Sequence, residues 1–489
     1  MKKLKWLLIL LLMMVCCAPE ARAVEAEDLS HKSIVTAHSG FSSPSRLFDG
    51  IFLNPLSIKS GGSMTLSHEG GIGSLYILFD LEPGIYTVIS DSTGESHTFG
   101  HNGYLHEFLD LEAAFGEAPV SVTVCFDNGP ASINELYVYA PGDVPDSVQK
   151  WAPPVEGEAD LVLFSTHGDD EQLFFAGLLP YYAGEMGYNV QVVYLTDHRN
   201  MTNQRVPEML NGLWAVGLRN YPVLGTFGDY QSESLAEAEK RYRDKGIGQE
   251  DVLRFVVENI RRFRPKVAVG HDLNGEYGHG MHMLYADALC KAVEISGKPE
   301  VFPELAEKYG VWDVPKTYLH LYPQNQVRLD WDIPLDSFQG MTAFEVTKEL
   351  GFPCHVTQQR YYGWYFSGME KASDIPQYSP CEYGLYRSTV GADRNKDDLF
   401  EHMSTHAQDA LQEAQWQAEE AARQTEEAAR QETAVETAAQ EPQKPQSLPQ
   451  QDLAKRENTL WMETLLPIAA GALLLALAAA ITKRGNQKK

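Results

Sequence analysis

The chain has 489 residues, which is more than one ordinary domain needs and predicts two or three folded units. Its formal net charge of -27 argues against nucleic acid as a partner, because binding to phosphate requires a basic surface. Its six cysteines are too scattered for a disulfide framework or a CxxC zinc pattern, so we expect unpaired thiols, with a Cys354–Cys381 bond as the alternative.

The first 23 residues have the pattern of a secretory signal peptide. A basic start at residues 1–5 precedes an apolar run at residues 6–15, and Ala21-Arg22-Ala23 is a small-x-small cleavage site. The alternatives are an uncleaved anchor or a lipoprotein leader that uses Cys16 or Cys17, although the residues before Cys16 are a poor context for lipid attachment. We therefore predict export, with cleavage after Ala23.

Residues 24–148 are predicted to form an all-β jelly-roll sandwich. Short alternating runs at residues 75–79, 84–89, 120–125 and 133–139 are typical of strands, and turn residues separate them at the spacing of an antiparallel sandwich. Residues 46–50 and the last of these runs resemble a discoidin or galactose-binding-like domain. The resemblance implies sugar binding through loops; a structural sandwich packed on the next domain is the alternative.

Residues 155–387 alternate between strand and helix patterns, as a Rossmann-like three-layer α/β domain does. Because the connections are short, the alternation implies a mostly parallel sheet that is covered on both faces. Late strands are expected within residues 311–321 and 330–333. The main predicted strands are 160–165, 189–196, 222–227 and 266–271, and the predicted helices are 171–183, 206–217, 249–263 and 281–295.

The C-terminal residues predict a stalk and a membrane anchor. Residues 400–440 are helix-prone without an apolar face, which is typical of an exposed helical stalk, and a Pro/Gln linker follows at 441–463. The apolar stretch 464–482 is long enough for one transmembrane helix, with a buried core helix as the alternative, and the basic tail 483–489 is expected to stay in the cytoplasm. These features predict a single-pass cell-membrane protein whose catalytic domain is extracytoplasmic and whose C-terminus is cytoplasmic.

Two polar clusters follow two of the predicted strands. His167-Gly168-Asp169-Asp170-Glu171 comes after the run at 160–165. Residues 270–282, which contain three histidines and the acidic residues Asp272 and Glu276, come after the run at 266–269. Open α/β sheets place their ligands at the carboxyl ends of strands. An imidazole and two carboxylates, joined by imidazoles from a distant loop, form a donor set for a divalent metal. Taken alone, the first cluster would serve equally well as a helix N-cap with acids in the first turn.

Together the two clusters resemble the PIG-L/LmbE family of zinc-dependent N-acetylglucosamine deacetylases. His-x-Asp-Asp-Glu and Gly-His-x-x-His match the two family motifs, with Gly168 in place of the usual Pro and Met281 in place of the usual Asp. Looser family patterns match residues 205–208, Arg-Val-Pro-Glu, and residues 355–358, His-Val-Thr-Gln. The resemblance covers roughly residues 158–365.

The resemblance implies roles for five of these side chains. Zinc or another divalent metal would be held by His167, Asp170 and His282, with an open position for water. Asp169 would be the general base, and His279 would help to hold the oxyanion of the tetrahedral intermediate.

Contacts to the substrate are predicted less directly. Arg205, His355 and Gln358 are the candidates, with a surface role as the alternative for the arginine. The aromatic cluster at residues 361–365 suits stacking on sugar rings, although such clusters also occur in protein cores.

The predicted function is that of an exported, membrane-anchored, metal-dependent amidohydrolase. It would remove N-acetyl groups from an N-acetylglucosamine-containing sugar, glycan or glycoconjugate by means of metal-activated water. The alternatives are a zinc amidase for a different amide and a non-catalytic surface protein that binds carbohydrate. A non-catalytic protein has no chemical reason to keep both predicted metal motifs, which argues against the last alternative.

Overall fold

The computed structural model describes residues 25–200 and 204–439. The predicted signal peptide (1–23), linker (441–463), membrane segment (464–482) and basic tail (483–489) lie outside these residues. The chain divides into two compact units, Met1–Ala414 and Gln415–Lys489. Every sheet described below belongs to the first unit.

The first nine strands form two antiparallel sheets in the region where one jelly roll was predicted. Buried side chains alternate along the strands; in Gly62–Ser67, for example, Met64 and Leu66 are fully buried. The inner faces of both sheets contribute to one core. The strands are β1 Ile34–Ser39, β2 Leu56–Ile58, β3 Gly62–Ser67, β4 Ser74–Phe79, β5 Tyr86–Ser90, β6 Ser96–Phe99, β7 His106–Asp110, β8 Ser121–Phe126 and β9 Ala131–Tyr139. One sheet has the order β1-β3-β8-β5-β6 and the other has the order β2-β9-β4-β7.

A six-stranded sheet forms the α/β part of the chain. Its strands are β10 Leu161–Ser165, β11 Val190–Tyr194, β12 Val267–Gly270, β13 Lys316–His320, β14 Gln326–Arg328 and β15 Glu382–Ser388. The order is β11-β10-β12-β13-β15-β14. The first four strands are parallel, and β15 pairs antiparallel with both β13 and β14.

Both faces of this sheet are covered. Leu161 and Leu163 of β10 pack into one apolar core, whereas Val162 and Phe164 pack into a second core on the opposite face. The first core is continuous with that of the two antiparallel sheets. The labelled helices are α1 Leu111–Phe115, α2 Arg205–Ala215, α3 Leu235–Asp244, α4 Gln249–Phe263, α5 Gly280–Ile295, α6 Pro303–Tyr309, α7 Gln359–Tyr365 and α8 His406–Ala439.

Three predicted elements differ from the structure. The predicted helix 171–183 is a series of turns that ends in a π-helical segment, Pro180–Glu185. The predicted strand 222–227 makes only isolated bridges, at Val223 and Phe227, because Pro222 lacks an N–H to donate. The late strand expected within 330–333 is instead β14, a few residues earlier.

The sequence-based prediction of a membrane anchor is corrected by the structure. Within residues 25–200 and 204–439, no helix combines the length and the apolar character needed to cross a membrane. Helix α8 has 34 residues, but its glutamates, glutamines and arginines make it too polar. This finding corrects the fold class with a transmembrane helix and the single-pass localisation drawn from it, and no helix within these residues supports the membrane as a partner. Cys125, Cys290, Cys354 and Cys381 are all free, so the alternative disulfide is not formed.

Candidate metal and catalytic site

The topology brings the two polar clusters of the sequence to one edge of the sheet. β10 and β12 are neighbouring parallel strands, so the loops that follow them start side by side. The backbone N–H of Thr166 donates to Nε2 of His271 over 2.9 Å, which ties the first loop to the second. The Ser165 hydroxyl donates to the carbonyl of His167 over 3.1 Å and closes the first turn of that loop.

Three side-chain atoms converge in this place. His167 Nδ1 lies 3.1 Å from Asp170 Oδ2 and 3.1 Å from His282 Nε2, and His282 Nε2 lies 3.3 Å from Asp170 Oδ2. All three residues are buried. Atoms that share one zinc ion at about 2.1 Å in a tetrahedral arrangement lie roughly 3.4 Å apart. The triangle therefore fits a single divalent metal, and these are the three residues that the sequence nominated as ligands.

A buried carboxylate, Glu276, orients the second loop. Its Oε2 accepts hydrogen bonds from Nδ1 of His282 over 2.7 Å and from Nδ1 of His271 over 2.8 Å, and its Oε1 accepts from Nδ1 of His320 over 2.7 Å. Burial would raise the pKa of Glu276, but His271 and the hydrogen bonds from the imidazoles hold that pKa well below its usual value. Because Nδ1 of His282 donates, its Nε2 is left with the lone pair that a metal needs.

A second carboxylate, Asp229, faces the other predicted histidine ligand. Its Oδ1 lies 3.2 Å from Nε2 of His167, although the N–H is not aligned for a regular hydrogen bond. Burial opposes ionisation of Asp229, but the neighbouring His167 lowers its pKa to about 2. Burial likewise disfavours the charged form of His167, yet Asp170 and Asp229 raise its pKa well above the usual value. The surroundings of His167 are therefore strongly negative and favour a cation.

The predicted general base lies next to the triangle. Asp169 is buried, and its Oδ1 accepts a hydrogen bond from the Arg205 guanidinium over 3.3 Å. Arg205 is the first residue of α2, and Glu208 one turn later accepts hydrogen bonds from the backbone N–H (3.0 Å) and hydroxyl (2.7 Å) of Thr357. The two looser family patterns found in the sequence are therefore in direct contact.

His279 begins α5 as its N-cap. Its Nδ1 accepts a hydrogen bond from the backbone N–H of Met281 over 3.3 Å, so Nε2 carries the proton of the neutral ring. Burial and the adjacent His167 lower the pKa of His279 to about 3. A neutral imidazole that faces the cavity with an N–H donor suits the stabilisation of an oxyanion.

Gly168 occupies a position where the proline usual in the family would lose a hydrogen bond and crowd the Met209 side chain. Its N–H donates to Nε2 of His198 over 2.8 Å, and proline has no N–H to make this bond. A β carbon at Gly168 would also lie 2.7 Å from Sδ of Met209. His198 and Met209 therefore hold the first loop in a way that depends on glycine. The second departure, Met281, is fully buried in the apolar core and contributes no polar group to the site.

A cavity of about 580 Å³ opens in front of these groups. Of the three predicted substrate contacts, Arg205 and Gln358 face the cavity. His355 is not among the lining residues; it is fully buried, with its Nε2 3.4 Å from Oε1 of Glu171. The lining residues are His167, Asp169, Asp170, Leu173, Phe174, Arg205, Asp229, Gln231, Tyr277, His279, Gln358, Arg360, Tyr361 and Trp364.

Four polar residues that hold the site were given no individual role in the sequence analysis. They are His198, Asp229, Glu276 and His320. Each lies at or shortly after the carboxyl end of an extended segment: His198 follows β11, Asp229 follows the bridged residues 223–227, Glu276 follows β12, and His320 ends β13. Their position at or just after the end of a predicted strand is the feature of the sequence that could have identified them as site residues.

Comparisons with known proteins point to one family. Residues 162–293 match the family described as PIG-L: GlcNAc-PI de-N-acetylase. A curated relative from Streptomyces avermitilis, 1D-myo-inositol 2-acetamido-2-deoxy-alpha-D-glucopyranoside deacetylase, is 25% identical over 288 residues, which cover 49% of this chain and 96% of the relative. A deacetylase of the same name, numbered 2, from Saccharopolyspora erythraea is 29% identical over 217 residues, covering 38% of this chain and 73% of that protein.

Among solved structures, N,N'-diacetylchitobiose deacetylase from Pyrococcus horikoshii is similar to 47% of this chain and 84% of its own. The sequence identity is 14% and the TM-score is 0.32. The family match and the curated relatives, rather than this low structural similarity, show which family the chain resembles.

Proposed function

We propose, from the premise that the α/β region of this chain is a deacetylase domain of the PIG-L family, that the chain removes N-acetyl groups from N-acetylglucosamine units with the help of a divalent metal. The substrate would be a sugar, a glycan or a glycoconjugate. The curated relatives are named for the removal of an acetyl group from a 2-acetamido-2-deoxyglucose unit, which supports this class of substrate.

The convergence of His167, Asp170 and His282 carries the proposal. Two imidazole nitrogens and one carboxylate oxygen within 3.1 to 3.3 Å of one another are a donor set that fits zinc and also suits several other divalent metals. A metal held there would lower the pKa of a water molecule and polarise the amide carbonyl of the substrate. Glu276 and Asp229 would keep the two imidazoles in the orientation that ligation requires.

The remaining polar groups supply the proton transfers. Asp169 would accept a proton from the attacking water and deliver it to the amine nitrogen as the amide C–N bond breaks. Arg205 would fix the position of that carboxylate through the contact of 3.3 Å. The Nε2–H of His279 would donate to the carbonyl oxygen as it becomes an oxyanion. The products would be acetate and a free amino sugar.

The test is to measure metal content and acetate release on the same preparation of the full chain. We expect about one bound divalent metal per chain, and release of acetate from N-acetylglucosamine oligomers that a chelator abolishes. The Asp169→Asn variant should keep the metal while its kcat/KM falls by about 100-fold or more, because it loses the base but no ligand.

Two results would count against the proposal. Equal loss of metal in Asp169→Asn would show that the roles of Asp169 and Asp170 are exchanged. A metal-loaded protein that releases no acetate from any N-acetylglucosamine substrate would show that the amide it cleaves is a different one.

A further inference from the structure

We propose that the mouth of the cavity binds a second sugar ring on an aromatic platform formed by Tyr277, Tyr361 and Trp364, so that the substrate is an oligosaccharide rather than a free amino sugar. This inference rests on the proposed function, since it places the acetylated ring at the metal site. Tyr361 and Trp364 lie outside residues 162–293, which match the family model.

The exposure of Trp364 and Tyr277 sets them apart from the other aromatic residues nearby, whereas Tyr361 is half-buried against the core. Trp364 is 49% exposed and Tyr277 is 43% exposed, although both line the cavity. In contrast, Tyr365, the next residue on the same helix, is 4% exposed and belongs to the core. Large aromatic side chains that stay exposed beside a polar cavity mark a binding surface. Within the aromatic cluster at residues 361–365, Trp364 is therefore available to stack on a sugar ring, whereas Tyr365 is part of the core.

Helix α7 positions two of the three rings. Tyr361 and Trp364 are three residues apart, which places them on the same side of a helix, and their ring centroids are 6.2 Å apart. Tyr277 comes from the loop before α5 and meets Trp364 edge-on, at 5.8 Å between centroids. Two independent segments of the chain therefore meet to form one platform.

The platform starts at the metal site and leads away from it. The Tyr277 ring lies 5.5 Å from the ring of His282, a proposed ligand, and the rings of Trp364 and Tyr361 follow. An acetylated sugar bound at His282 would therefore have its neighbouring sugar over Trp364. The apolar face of a sugar ring can stack on the face of an aromatic side chain.

The backbone of Tyr277 supports a functional role for its position. Its φ of +46° is in the left-handed region, which is unusual for an aromatic residue. Such a conformation carries a cost in free energy and persists where the surrounding structure enforces it, often at binding sites. Here it holds the ring between His279 and Trp364.

Polar groups beside the platform match the hydroxyl groups of a sugar. The Arg360 guanidinium lies 4.7 Å from the centre of the Tyr361 ring and donates to its hydroxyl over 2.9 Å. Gln231 and Gln358 also line the cavity. Side-chain amides and a guanidinium around exposed rings are the combination of apolar faces and hydrogen-bond donors that an oligosaccharide needs.

The experiment compares chain lengths with and without the platform. The full-length, metal-loaded protein would be assayed for acetate release from N-acetylglucosamine and from its β-1,4-linked dimer, trimer and tetramer. Binding of the same series would be followed by tryptophan fluorescence in the Asp169→Asn background, where turnover is lost. We expect kcat/KM and affinity to rise by about 10-fold or more from the monosaccharide to the dimer or trimer.

Substitutions assign that increase to the platform. Trp364→Ala should remove most of the gain with chain length, so that the values for the dimer and trimer fall toward those for the monosaccharide, and Trp364→Phe should restore much of the gain. Trp416→Ala, which removes a tryptophan that is 55% exposed on α8, is the matched control and should change nothing. Circular dichroism and thermal unfolding would establish that each variant is folded.

The outcomes separate this inference from the proposed function. Acetate release without a gain in affinity or kcat/KM from longer chains, or a gain that survives Trp364→Ala, would overturn the aromatic platform and leave the deacetylase intact. A gain in binding that depends on Trp364, without acetate release from the active protein, would support the platform and overturn the proposed reaction.

Discussion

At the scale of single residues, the site is defined by carboxylates that surround imidazoles. Asp170 and Asp229 contact His167 from two sides, and Glu276 contacts the imidazole of His282. Each proposed ligand imidazole therefore has one nitrogen directed at the triangle and the other directed at a carboxylate. That arrangement fixes the tautomer and the ring orientation, and it increases the basicity of the nitrogen that a metal would bind.

Asp229 gives the first prediction at this scale. In Asp229→Asn, His167 loses a negative charge 3.2 Å from its Nε2 but keeps a polar neighbour of the same size. We expect the affinity for zinc to fall by about 10- to 100-fold, because the imidazole loses the carboxylate that orients it. Competition with a chromophoric chelator measures the affinity directly and does not require turnover.

The control for this variant is Asp127→Asn, which removes the charge of an exposed aspartate in the antiparallel region. It changes the net charge of the chain by the same amount and should leave zinc affinity unchanged. Equal affinities for the parent protein and Asp229→Asn would show that Asp229 does not act on the ligand.

The proposed ligands were predictable from the sequence, whereas three of the residues that hold the site were not. His167, Asp170 and His282 stand in two short motifs, each directly after an apolar strand. His198, Asp229 and His320 are single residues in unrelated segments, and only the pairing of strands brings them to the same edge. His355 was nominated from a motif, but the structure buries it beside Glu171, because burial depends on packing that a motif does not contain.

At the scale of elements, the turns after the first motif depend on one glycine. Gly177 has a φ of +89°, which favours glycine, and a β carbon there would lie 2.4 Å from Cγ of Trp331. Trp331 is 1% exposed and donates to the carbonyl of Pro380, so it has little room to move. The chain therefore turns at Gly177 and enters the π-helical segment Pro180–Glu185 instead of continuing as a helix.

This contact predicts the effect of Gly177→Ala. The left-handed backbone conformation and the clash with Trp331 should together lower the free energy of unfolding by about 3 kcal/mol. Gly187→Ala is the control, because Gly187 has a φ of +63° but a β carbon there would have no heavy atom within 4 Å. Its cost should be about 1 kcal/mol. Urea unfolding compares the two variants, and similar values would show that Trp331 yields to the extra carbon.

The elements that the sequence predicted correctly are those whose conformation depends on local pattern rather than on a tertiary contact such as this one. Helix 249–263 was predicted with the bounds that the structure has, and the helix predicted at 281–295 starts one residue earlier, at Gly280. In α4, apolar residues recur with the helical period and settle the assignment locally. The apolar run 173–179 has helix-like composition, but a tertiary contact with Trp331, more than 150 residues later in the sequence, decides its conformation.

At the scale of the whole first unit, a chain of polar side chains, buried at His106 and Gln149, joins the antiparallel sheets to the α/β region. Nδ1 of His106 in β7 lies 2.8 Å from Oε1 of Gln149, and Nε2 of Gln149 donates to Oδ1 of Asn211 over 2.7 Å. Asn211 is in α2, the helix that begins with Arg205. The sheets are thus connected through two hydrogen bonds to the helix that carries a residue of the site. The three residues are distant in sequence and form no motif, so only the folded structure reveals this connection.

The junction predicts a stability that depends on pH. His106 is 2% exposed, and its Nε2 has no hydrogen-bond partner. Burial lowers the pKa of His106 to about 4, against about 6.5 for an unfolded histidine. Between these values the unfolded chain binds a proton that the folded chain does not bind, so the contribution of His106 becomes less favourable to folding as the pH decreases.

We therefore expect His106 to cost the folded state about 2 kcal/mol on going from about pH 7.5 to about pH 5. Glutamine cannot be protonated, so the loss of stability between these two pH values should be smaller by this amount in His106→Gln than in the parent protein. His101→Gln, at an exposed histidine five residues earlier, serves as the control and should keep the parent's pH dependence. Urea unfolding at both pH values provides the comparison. If His106→Gln kept the full pH dependence of the parent protein, the prediction would be wrong. The buried imidazole would then be protonated in the folded protein, although its Nε2 has no hydrogen-bond acceptor there.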